Sequence, residues 1–216
     1  MLKSKKILVT AGPTHEYLDD IRYIGNRSSG RQGTEIAKCL QKLEADVTLV
    51  IGPVNLKLNG LRKVIRVESA VQMNDAVIET GPFDIAICAA AVSDWRPKER
   101  AKTKIKKSSI GEPKFLELVE NPDILKNICV AENRPNLVIG FAAETNDLLT
   151  NARSKLKNKG CDWIVANKVT AETNNMGGWE NEVIIIKKNE EIKFAKQSKE
   201  GIAKLICKKI VEEFSG

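Results

Sequence analysis

The chain has 216 residues, of which 42% are hydrophobic and 29% are charged, a composition typical of one globular domain with a sizeable core. No apolar run approaches the roughly 20 residues that a transmembrane helix needs. The start, Met-Leu-Lys-Ser-Lys-Lys, lacks the apolar stretch of a secretory signal. We therefore expect one domain over residues 1–216, located in the cytoplasm and without membrane association.

The charge is basic: 35 Lys and Arg side chains against 28 Asp and Glu side chains give a net charge of +7. This excess fits a polyanionic partner, but it fits a small phosphorylated ligand equally well. Only 5% of the residues are aromatic, which is sparse for a surface that stacks nucleic-acid bases. We expect no nucleic-acid partner, although a non-catalytic nucleotide- or nucleic-acid-binding module using the basic residues 102–107 stays open as an alternative.

The cysteines stand singly, without a Cys-x-x-Cys pair, and the chain has one histidine to assist metal binding. This pattern excludes a structural zinc site, and no residue is assigned to a metal. We predict that the thiols are reduced and pack as small apolar side chains. The five are Cys39, Cys88, Cys129, Cys161 and Cys207.

In the first half of the chain, short apolar runs alternate with segments of helical period. The run at 6–11 ends in Gly-Pro and predicts a buried strand. A long polar loop follows, and then a helix from Ser29 to about Leu43, capped by Ser28 or Ser29. The remaining patterns predict strands at 46–51 and 63–67 and a helix at 70–79.

The second half begins with the almost wholly apolar residues 84–92, which predict a central parallel strand. Residues 93–113 are polar, basic and without periodicity, which indicates a functional loop. A helix should follow with Pro122 in its first turn, and the helix at 148–159 should end at Gly160. The other predicted elements are strands at 114–119, 137–142 and 162–166, a hairpin of 182–188 with 192–195, and a closing helix at 198–214.

This alternation predicts an α/β fold: a mostly parallel central sheet between two helical layers, with right-handed crossovers. In such sheets, ligands bind outside the carboxyl ends of the strands. We therefore expect one ligand-binding site, formed by the loops that follow Thr10, Val92, Phe141 and Ala166.

The loop after the first strand contains Asn26-Arg-Ser-Ser-Gly30 directly before the predicted helix. Glycine and hydroxyl residues at a helix start offer N–H groups and the positive end of the helix dipole to an anion. Asn26, Ser28, Ser29 and Gly30 are therefore expected to hold phosphate, although an ordinary capped helix would show the same spacing. His15 is interpreted as a surface hydrogen-bonding group.

Asp94 follows the apolar run at 84–92, and a carboxylate at the end of a buried strand needs a ligand or a partner. A contact to a ligand and a salt bridge to Arg96 or Lys98 are both open. In the loop that follows, a lysine that closes over a phosphate would stabilise developing charge. The residues alone do not separate Lys104 from the lysines at 106 and 107.

Lys155 and Lys159 are spaced i, i+4 on a predicted helix and therefore share one face. They are able to reach one anion together, or they form a solvated basic face. Phe141, at a predicted strand end, either stacks on a base or belongs to the core.

A nicotinamide-dependent oxidoreductase is the natural rival for such a sheet. It predicts Gly-x-Gly-x-x-Gly in the first turn and an acidic ribose-binding residue about 20 residues later. The sequence has neither of these features. A nicotinamide-dependent oxidoreductase therefore stays only as a less favoured alternative.

Six motifs occur in order along nearly the whole chain: Ala-Gly-Pro-Thr-x-Glu-x-Leu-Asp, Arg-Tyr-Ile-x-Asn-x-Ser-Ser-Gly, Ala-Ala-Val-x-Asp, Lys-Ile-Lys-Lys, Asn-Pro-Asp-Ile and Gly-Phe-Ala-Ala-Glu-Thr. Together they closely resemble bacterial-type phosphopantothenate cysteine ligases (phosphopantothenoylcysteine synthetases), commonly the C-terminal half of a bifunctional coenzyme A biosynthesis protein. Two positions depart from the family: Tyr17 replaces a frequent proline, and His15 replaces a common arginine.

The resemblance implies a Rossmann-like, dimeric enzyme that joins 4′-phosphopantothenate to L-cysteine. CTP would activate the carboxylate as an acyl-cytidylate, with release of pyrophosphate and then CMP. Mg²⁺ or Mn²⁺ would accompany CTP, and no flavin is expected. A phosphopantothenoylcysteine decarboxylase is an expected associate, since no decarboxylase domain is present in this sequence.

By the same resemblance, Asn26 and Lys104 are the catalytic residues. Lys104 would stabilise charge during cytidylation, and Asn26 would act on the acyl-cytidylate and its conversion with cysteine. The implied CTP-binding residues are Cys88, Ala89, Ala90, Asp94, Lys104, Asn121, Pro122, Asp123, Ile124, Phe141, Lys155 and Lys159. The implied phosphate or substrate loop contains Gly12, Thr14, Arg22, Asn26, Ser28, Ser29 and Gly30.

Overall fold

The structure, a computed structural model, describes residues 2–106, 115–169 and 178–214. Its strands are β1 (Lys6–Ala11), β2 (His15–Tyr17), β3 (Tyr23–Gly25), β4 (Asp46–Ile51), β5 (Lys63–Arg66), β6 (Ile85–Cys88), β7 (Trp95–Pro97), β8 (Leu118–Glu120), β9 (Leu137–Glu144), β10 (Trp163–Lys168), β11 (Glu180–Ile186) and β12 (Glu191–Ser198). Its helices are α1 (Arg31–Lys42), α2 (Ala70–Thr80), α3 (Ile124–Val130), α4 (Leu148–Lys159) and α5 (Lys199–Glu213).

Eight strands form the central sheet in the order β12-β11-β10-β9-β6-β1-β4-β5. The six strands from β10 to β5 in this order pair in parallel, whereas β11 and β12 pair antiparallel at one edge. The predicted α/β class is confirmed: the fold is Rossmann-like, with a C-terminal hairpin and helix. None of the helices in the described residues is long and apolar enough to cross a membrane.

The two faces of the sheet are covered by different helices. Successive side chains of a strand point to opposite faces, so Val9 and Ile87 pack with α1 and α5, whereas Leu8 and Ala86 pack with α2, α3 and α4. Every one of these four side chains is fully buried. Continuous apolar runs form the central strands because both faces are covered.

The cysteines are free thiols, as expected. Cys161 and Cys207 are buried in the two cores, and Cys39, Cys88 and Cys129 pack half-buried against them. Burial raises the pKa of the Cys161 thiol to about 12, so this side chain behaves as a small apolar group.

Several predicted boundaries need correction. The strand expected at 84–92 ends at Cys88, because the next residues leave the sheet to form a cavity wall. The loop expected at 93–113 contains β7, which pairs with β8, and the strand expected at 114–119 is β8. Residues 107–114, including Lys107, lie outside the described residues. Pro122 precedes the helix, because Asp123 is the residue that caps α3.

The loop after β1 contains a hairpin of β2 and β3 that the sequence patterns did not predict. The His15 ring stacks on Tyr23 at 3.7 Å between ring centroids, and burial is the main cause that lowers the pKa of His15. His15 is therefore half-buried in a ring stack rather than fully exposed. Glu16 is buried and accepts a hydrogen bond from the Ala70 backbone N–H at 3.0 Å, which ties the hairpin to α2.

The entrance to α1 also differs from expectation, because Gly30 and not a serine occupies the N-cap position. Gly30 has a φ of 70°, and a Cβ atom there would lie 2.9 Å from Val54 Cγ1. A Cβ on Gly33 would lie 2.6 Å from the Cβ of Ala11. Glycine is required at both positions, since α1 begins close against the end of β1.

Candidate functional site

A cavity of about 770 Å³ lies at the carboxyl ends of β1, β6, β9 and β10. Thr10, Cys88, Phe141 and Asn167 line it from these four strands. This is the position that the parallel sheet predicts, because the strand ends and the loops that follow them meet at one edge.

The structure brings most of the sequence-predicted site residues to this cavity and leaves a smaller group outside. The residues that line it are Asn26, Ser28, Cys88, Ala89, Ala90, Asp94, Asn121, Pro122, Asp123, Ile124, Phe141, Lys155 and Lys159. The predicted residues outside its lining are Gly12, Thr14, Arg22, Ser29, Gly30 and Lys104.

Asn26 reaches the cavity from the loop between β3 and α1. Its Nδ2 donates hydrogen bonds to the carbonyl oxygens of Ala91 and Val92 at 3.1 and 3.2 Å. These bonds fix the amide against the segment that follows β6. The Asn26 side chain is therefore held at the cavity before any ligand binds.

Gly12 and Thr14 are buried and form hydrogen bonds with the segment that follows β6. The Ala91 N–H donates to the Gly12 carbonyl at 2.8 Å, and the Ser93 N–H donates to Thr14 Oγ1 at 3.0 Å. Gly12 and Thr14 thus support a cavity wall rather than line the cavity, and their assignment to the phosphate or substrate loop stays a prediction.

Asn121 connects β8 to the segment after β6. Its backbone N–H donates to the Asp94 carbonyl, and its Nδ2 donates to the Ser93 carbonyl, both at 2.8 Å. Asp94 is exposed rather than buried, and neither Arg96 nor Lys98 pairs with it, because Arg96 bonds to the Glu120 carbonyl and Lys98 to Glu117. The premise of a buried carboxylate is wrong, although Asp94 does line the cavity.

The α4 lysines form a basic wall of the cavity. Lys159 pairs with Asp123, which also caps α3 by accepting from the Lys126 N–H at 3.0 Å. Lys155 is half-buried, and its pKa is lowered mainly by burial and next by the positive charge of Lys159. An anion in the cavity would favour the charged form of Lys155.

Lys104 is exposed and lies outside the cavity lining, but the residue beside it is anchored. The Ile105 N–H donates to Asp19 Oδ2 at 3.0 Å, and Arg22 Nη2 donates to the Ile105 carbonyl at 2.8 Å. Asp19 is fully buried, and the Arg22 guanidinium holds the pKa of its carboxyl well below the usual range. Arg22 therefore fixes the Lys104 segment to the first loop.

Several cavity residues were missed in the sequence. Gln32, Asn167, Asn181 and Lys199 line the cavity on the α1 and α5 side of the sheet. They come from four elements and share no motif, so periodicity did not single them out. One local signal was available: Lys199 follows the α5 cap, a position where the helix dipole disfavours a cation.

The carboxylate side chains that line the cavity are the candidate ligands for a divalent cation. The described residues contain no cluster of three or more His, Cys, Asp or Glu side chains that would form a metal cage. Mg²⁺ bound with a nucleotide needs only one or two carboxylates, because phosphates and water supply the other oxygens. Asp94 and Glu120 line the cavity and suit this mode.

Residues 2–214 match the family model described as the DNA/pantothenate metabolism flavoprotein C-terminal domain. The chain belongs to this family. It is 41% identical over 215 residues to the coenzyme A biosynthesis bifunctional protein CoaBC of Vibrio cholerae, covering 99% of this chain and 54% of that protein. It is also 42% identical over 193 residues to CoaBC of Mycobacterium tuberculosis, covering 82% of this chain and 46% of that protein. The chain thus spans about half the length of these relatives.

The fold agrees with the family membership. The crystal structure of the C-terminal domain of CoaBC superimposes with a TM-score of 0.82 at 36% sequence identity. The match covers 99% of this chain and 97% of that domain. The structural match therefore extends along nearly the whole chain.

Proposed function

We propose that this chain is a ligase that joins 4′-phosphopantothenate to L-cysteine with CTP as the activating nucleotide, in coenzyme A biosynthesis. One observation carries the proposal. A single polar cavity gathers Asn26, the Asn121 to Ile124 turn, Phe141 and the two α4 lysines, which are separated in sequence. The similarity to CoaBC proteins supports the same assignment.

The first step activates an unreactive carboxylate. Its oxygen attacks the α-phosphorus of CTP, the bond from that phosphorus to the bridging oxygen breaks, and the electron pair leaves with pyrophosphate. Negative charge develops on the phosphate oxygens, so a nearby cation lowers the barrier. In our proposal Lys104 supplies this cation, while Lys155 and Lys159 bind the nucleotide.

The second step transfers the acyl group to the amine of cysteine. The amine nitrogen attacks the acyl carbon, the bond to the CMP oxygen breaks, and the ammonium proton is lost to give the amide. We assign Asn26 to this step because its amide stands at the cavity wall, held through Nδ2 by two carbonyl oxygens. An amide both donates and accepts hydrogen bonds, which suits it to orient the mixed anhydride.

A divalent cation, Mg²⁺ or Mn²⁺, belongs with the triphosphate in this proposal, and it would supply charge neutralisation at the phosphate oxygens. Asp94 and Glu120 are the side chains that would hold it. We expect no flavin on this domain. A phosphopantothenoylcysteine decarboxylase would catalyse the next reaction. We propose that the chain associates with this enzyme.

The nucleotide preference is the first test. We expect kcat/KM for CTP to exceed that for ATP by about 100-fold, because a pocket of directed hydrogen bonds rejects a base that leaves its polar groups unpaired. Each nucleoside triphosphate is incubated separately with phosphopantothenate, cysteine and Mg²⁺, and product masses are recorded. Comparable values for the two nucleotides would contradict the preference, and no phosphopantothenoyl-cysteine with any nucleotide would remove the proposed function.

We also propose that the active form is a homodimer. The two small sheets lie together, since β2 contacts β7, and they and the residues around them expose large apolar side chains. These are Ile21 (62% exposed), Tyr23 (49%), Trp95 (48%), Phe115 (93%) and Leu118 (38%). A concentrated apolar surface of this kind is typical of a protein interface, and it adjoins the Lys104 segment.

In this dimer, the exposed segment at 98–106 carries Lys104 to the cavity of the second subunit. Sedimentation at the concentration used for activity is expected to give twice the monomer mass of 23.9 kDa. Replacing Trp95 and Phe115 with Ser should shift the protein to monomer and lower activity together. A fully active monomer would contradict the proposal.

A further inference from the structure

Two of the five cysteines meet where α1 packs against α5. Cys39 is the ninth residue of α1, and Cys207 is the ninth residue of α5. Cys207 Sγ lies 3.9 Å from the carbonyl oxygen of Ile36 on α1, and the Cys207 thiol forms a hydrogen bond with Cys39. The two sulfur atoms are therefore in direct contact across a helix–helix interface.

The thiol pair lies away from the cavity. At the cavity end of the two helices, Gln32 Nε2 donates to the Lys199 carbonyl at 3.1 Å, and both residues line the cavity. Cys39 is seven residues beyond Gln32 on α1, a rise of about 10 Å. The two helices thus run side by side in the same direction, and the reaction proposed above does not use the thiol pair.

The two thiols differ in their access to solvent. Cys39 is half-buried, whereas Cys207 is only 1% exposed. An oxidant in solution therefore reaches Cys39 first, and Cys207 reacts through Cys39.

The electrostatic surroundings make Cys39 the more reactive thiol. The hydrogen bond from Cys207 is the main cause that holds the pKa of Cys39 below its ordinary value, and the charges of Lys42 and Lys204 lower it further. Burial and the charge of Glu200 act in the opposite direction. Cys39 is thus enriched in thiolate, the form that attacks peroxides. The same hydrogen bond, together with burial, raises the pKa of Cys207, which keeps its proton.

The other three cysteines have a different character. They pack on the opposite face of the sheet, and burial is the main cause that raises the pKa of Cys88, Cys129 and Cys161. A thiol whose pKa is raised by apolar surroundings is inert towards oxidants. Of the five cysteines, Cys39 is the one in which thiolate character and solvent access occur together.

We propose that Cys39 and Cys207 form an oxidation site for hydrogen peroxide, and that the product is a disulfide that joins α1 to α5. The Cys39 thiolate attacks one peroxide oxygen and the O–O bond breaks. That oxygen stays on sulfur as a sulfenic acid, and the other leaves with the electron pair and takes up a proton as water. Cys207 Sγ then attacks the Cys39 sulfur, the S–O bond breaks, and the hydroxyl leaves as water with the Cys207 proton. Two thiols are oxidised, and one peroxide is reduced to two waters.

The geometry favours the disulfide over further oxidation of Cys39. Because the sulfur atoms are already in hydrogen-bond contact, only a small approach brings them to the disulfide bond length of about 2 Å. The bond would connect residues near the two ends of the chain. Such a long closed loop restricts the unfolded state strongly, so oxidation would fix α5 on the domain.

The test treats the full chain with hydrogen peroxide, alkylates the remaining thiols and maps the peptides by mass spectrometry. Wild type is expected to lose about 2 Da, the mass of two hydrogen atoms, and to yield a peptide that links Cys39 to Cys207. Its Tm should rise by about 5 to 15 °C. Dithiothreitol should reverse both changes.

Three variants identify the thiols involved. Cys39→Ala should abolish the link and the rise in Tm. Cys207→Ala should leave a sulfenic acid on Cys39 that dimedone traps, an outcome that a purely structural role for Cys207 does not produce. Cys129→Ala is the matched control, because Cys129 is also half-buried, and it should form the link as wild type does. Circular dichroism should show that the variants are folded, and Cys39→Ala decides the test if Cys207→Ala does not fold.

The inference is overturned if folded wild type forms no link, if the link joins other cysteines or two chains, or if the main product is a sulfinic acid on Cys39. Loss of the link in Cys129→Ala, or its persistence in Cys39→Ala, would also overturn it. The measurement requires no substrate, so its result does not depend on whether the proposed ligase activity is found.

Discussion

Replacing Lys104 with Gln is expected to slow pyrophosphate release from CTP by a factor of about 10² to 10³, the usual effect of removing one preorganised electrostatic donor. Lys104 is proposed to offset charge that develops at the α-phosphate, so its loss affects the first step directly. The later step then has no excess of intermediate to process. Quenched reactions should show slow pyrophosphate release and no accumulated acyl-cytidylate.

Lys106→Gln is the matched control, because Lys106 is exposed in the same segment two residues away. It removes the same charge from the surface, so a general effect of charge would appear in both variants. We expect a change of less than about threefold for Lys106→Gln, since exposed charges act weakly through water. Normal pyrophosphate release by Lys104→Gln would show that the role assigned to Lys104 is wrong.

The second large effect is expected for Asn26→Asp, which should impair transfer to cysteine while some activation continues. The aspartate cannot donate to the carbonyl oxygens of Ala91 and Val92, which the Asn26 amide contacts at 3.1 and 3.2 Å. It also adds negative charge beside a negatively charged intermediate. We expect product formation to fall by about 10² or more, and mass spectrometry should detect acyl-cytidylate. Product formation at the wild-type rate would reject the assignment of Asn26.

The two variants together test whether Lys104 acts across subunits. If each site combines Asn26 of one subunit with Lys104 of the other, neither variant alone has an intact site. Mixing them in equal amounts, with exchange of subunits, should restore about a quarter of the sites, because half of the dimers are mixed and each has one intact site. No recovery, with mixed dimers demonstrated by mass, would place both residues in the same subunit.

The parallel sheet was predictable because its strands are apolar runs that end in turn residues. β1 and β4 have the predicted bounds, and α4 ends at Gly160 as expected. The hairpin of β2 and β3 was not predicted, since three-residue strands do not establish an alternating pattern. Its contacts, such as the Glu16 bond to the start of α2, are long-range in sequence.

The candidate site was predictable where a motif places several polar residues at one strand end. The polar residues before α1 led to Asn26, and the family resemblance led to the Asn121 turn; both line the cavity. The resemblance did not separate these cavity residues from Thr14, which is buried and supports the wall. Lys199 was missed because its significance comes from burial, and burial is a property of the assembled helices rather than of the local pattern.

The cavity wall begins at Thr10 in the first strand and includes Lys199 in the last helix. A growing chain therefore cannot form the complete site until α5 has been synthesised and has packed on α1. A nucleotide bound there would stabilise only the fully folded state, by mass action. Ligand occupancy would thus protect both ends of the domain together against local unfolding and proteolysis, and cellular nucleotide supply would contribute to the lifetime of the protein.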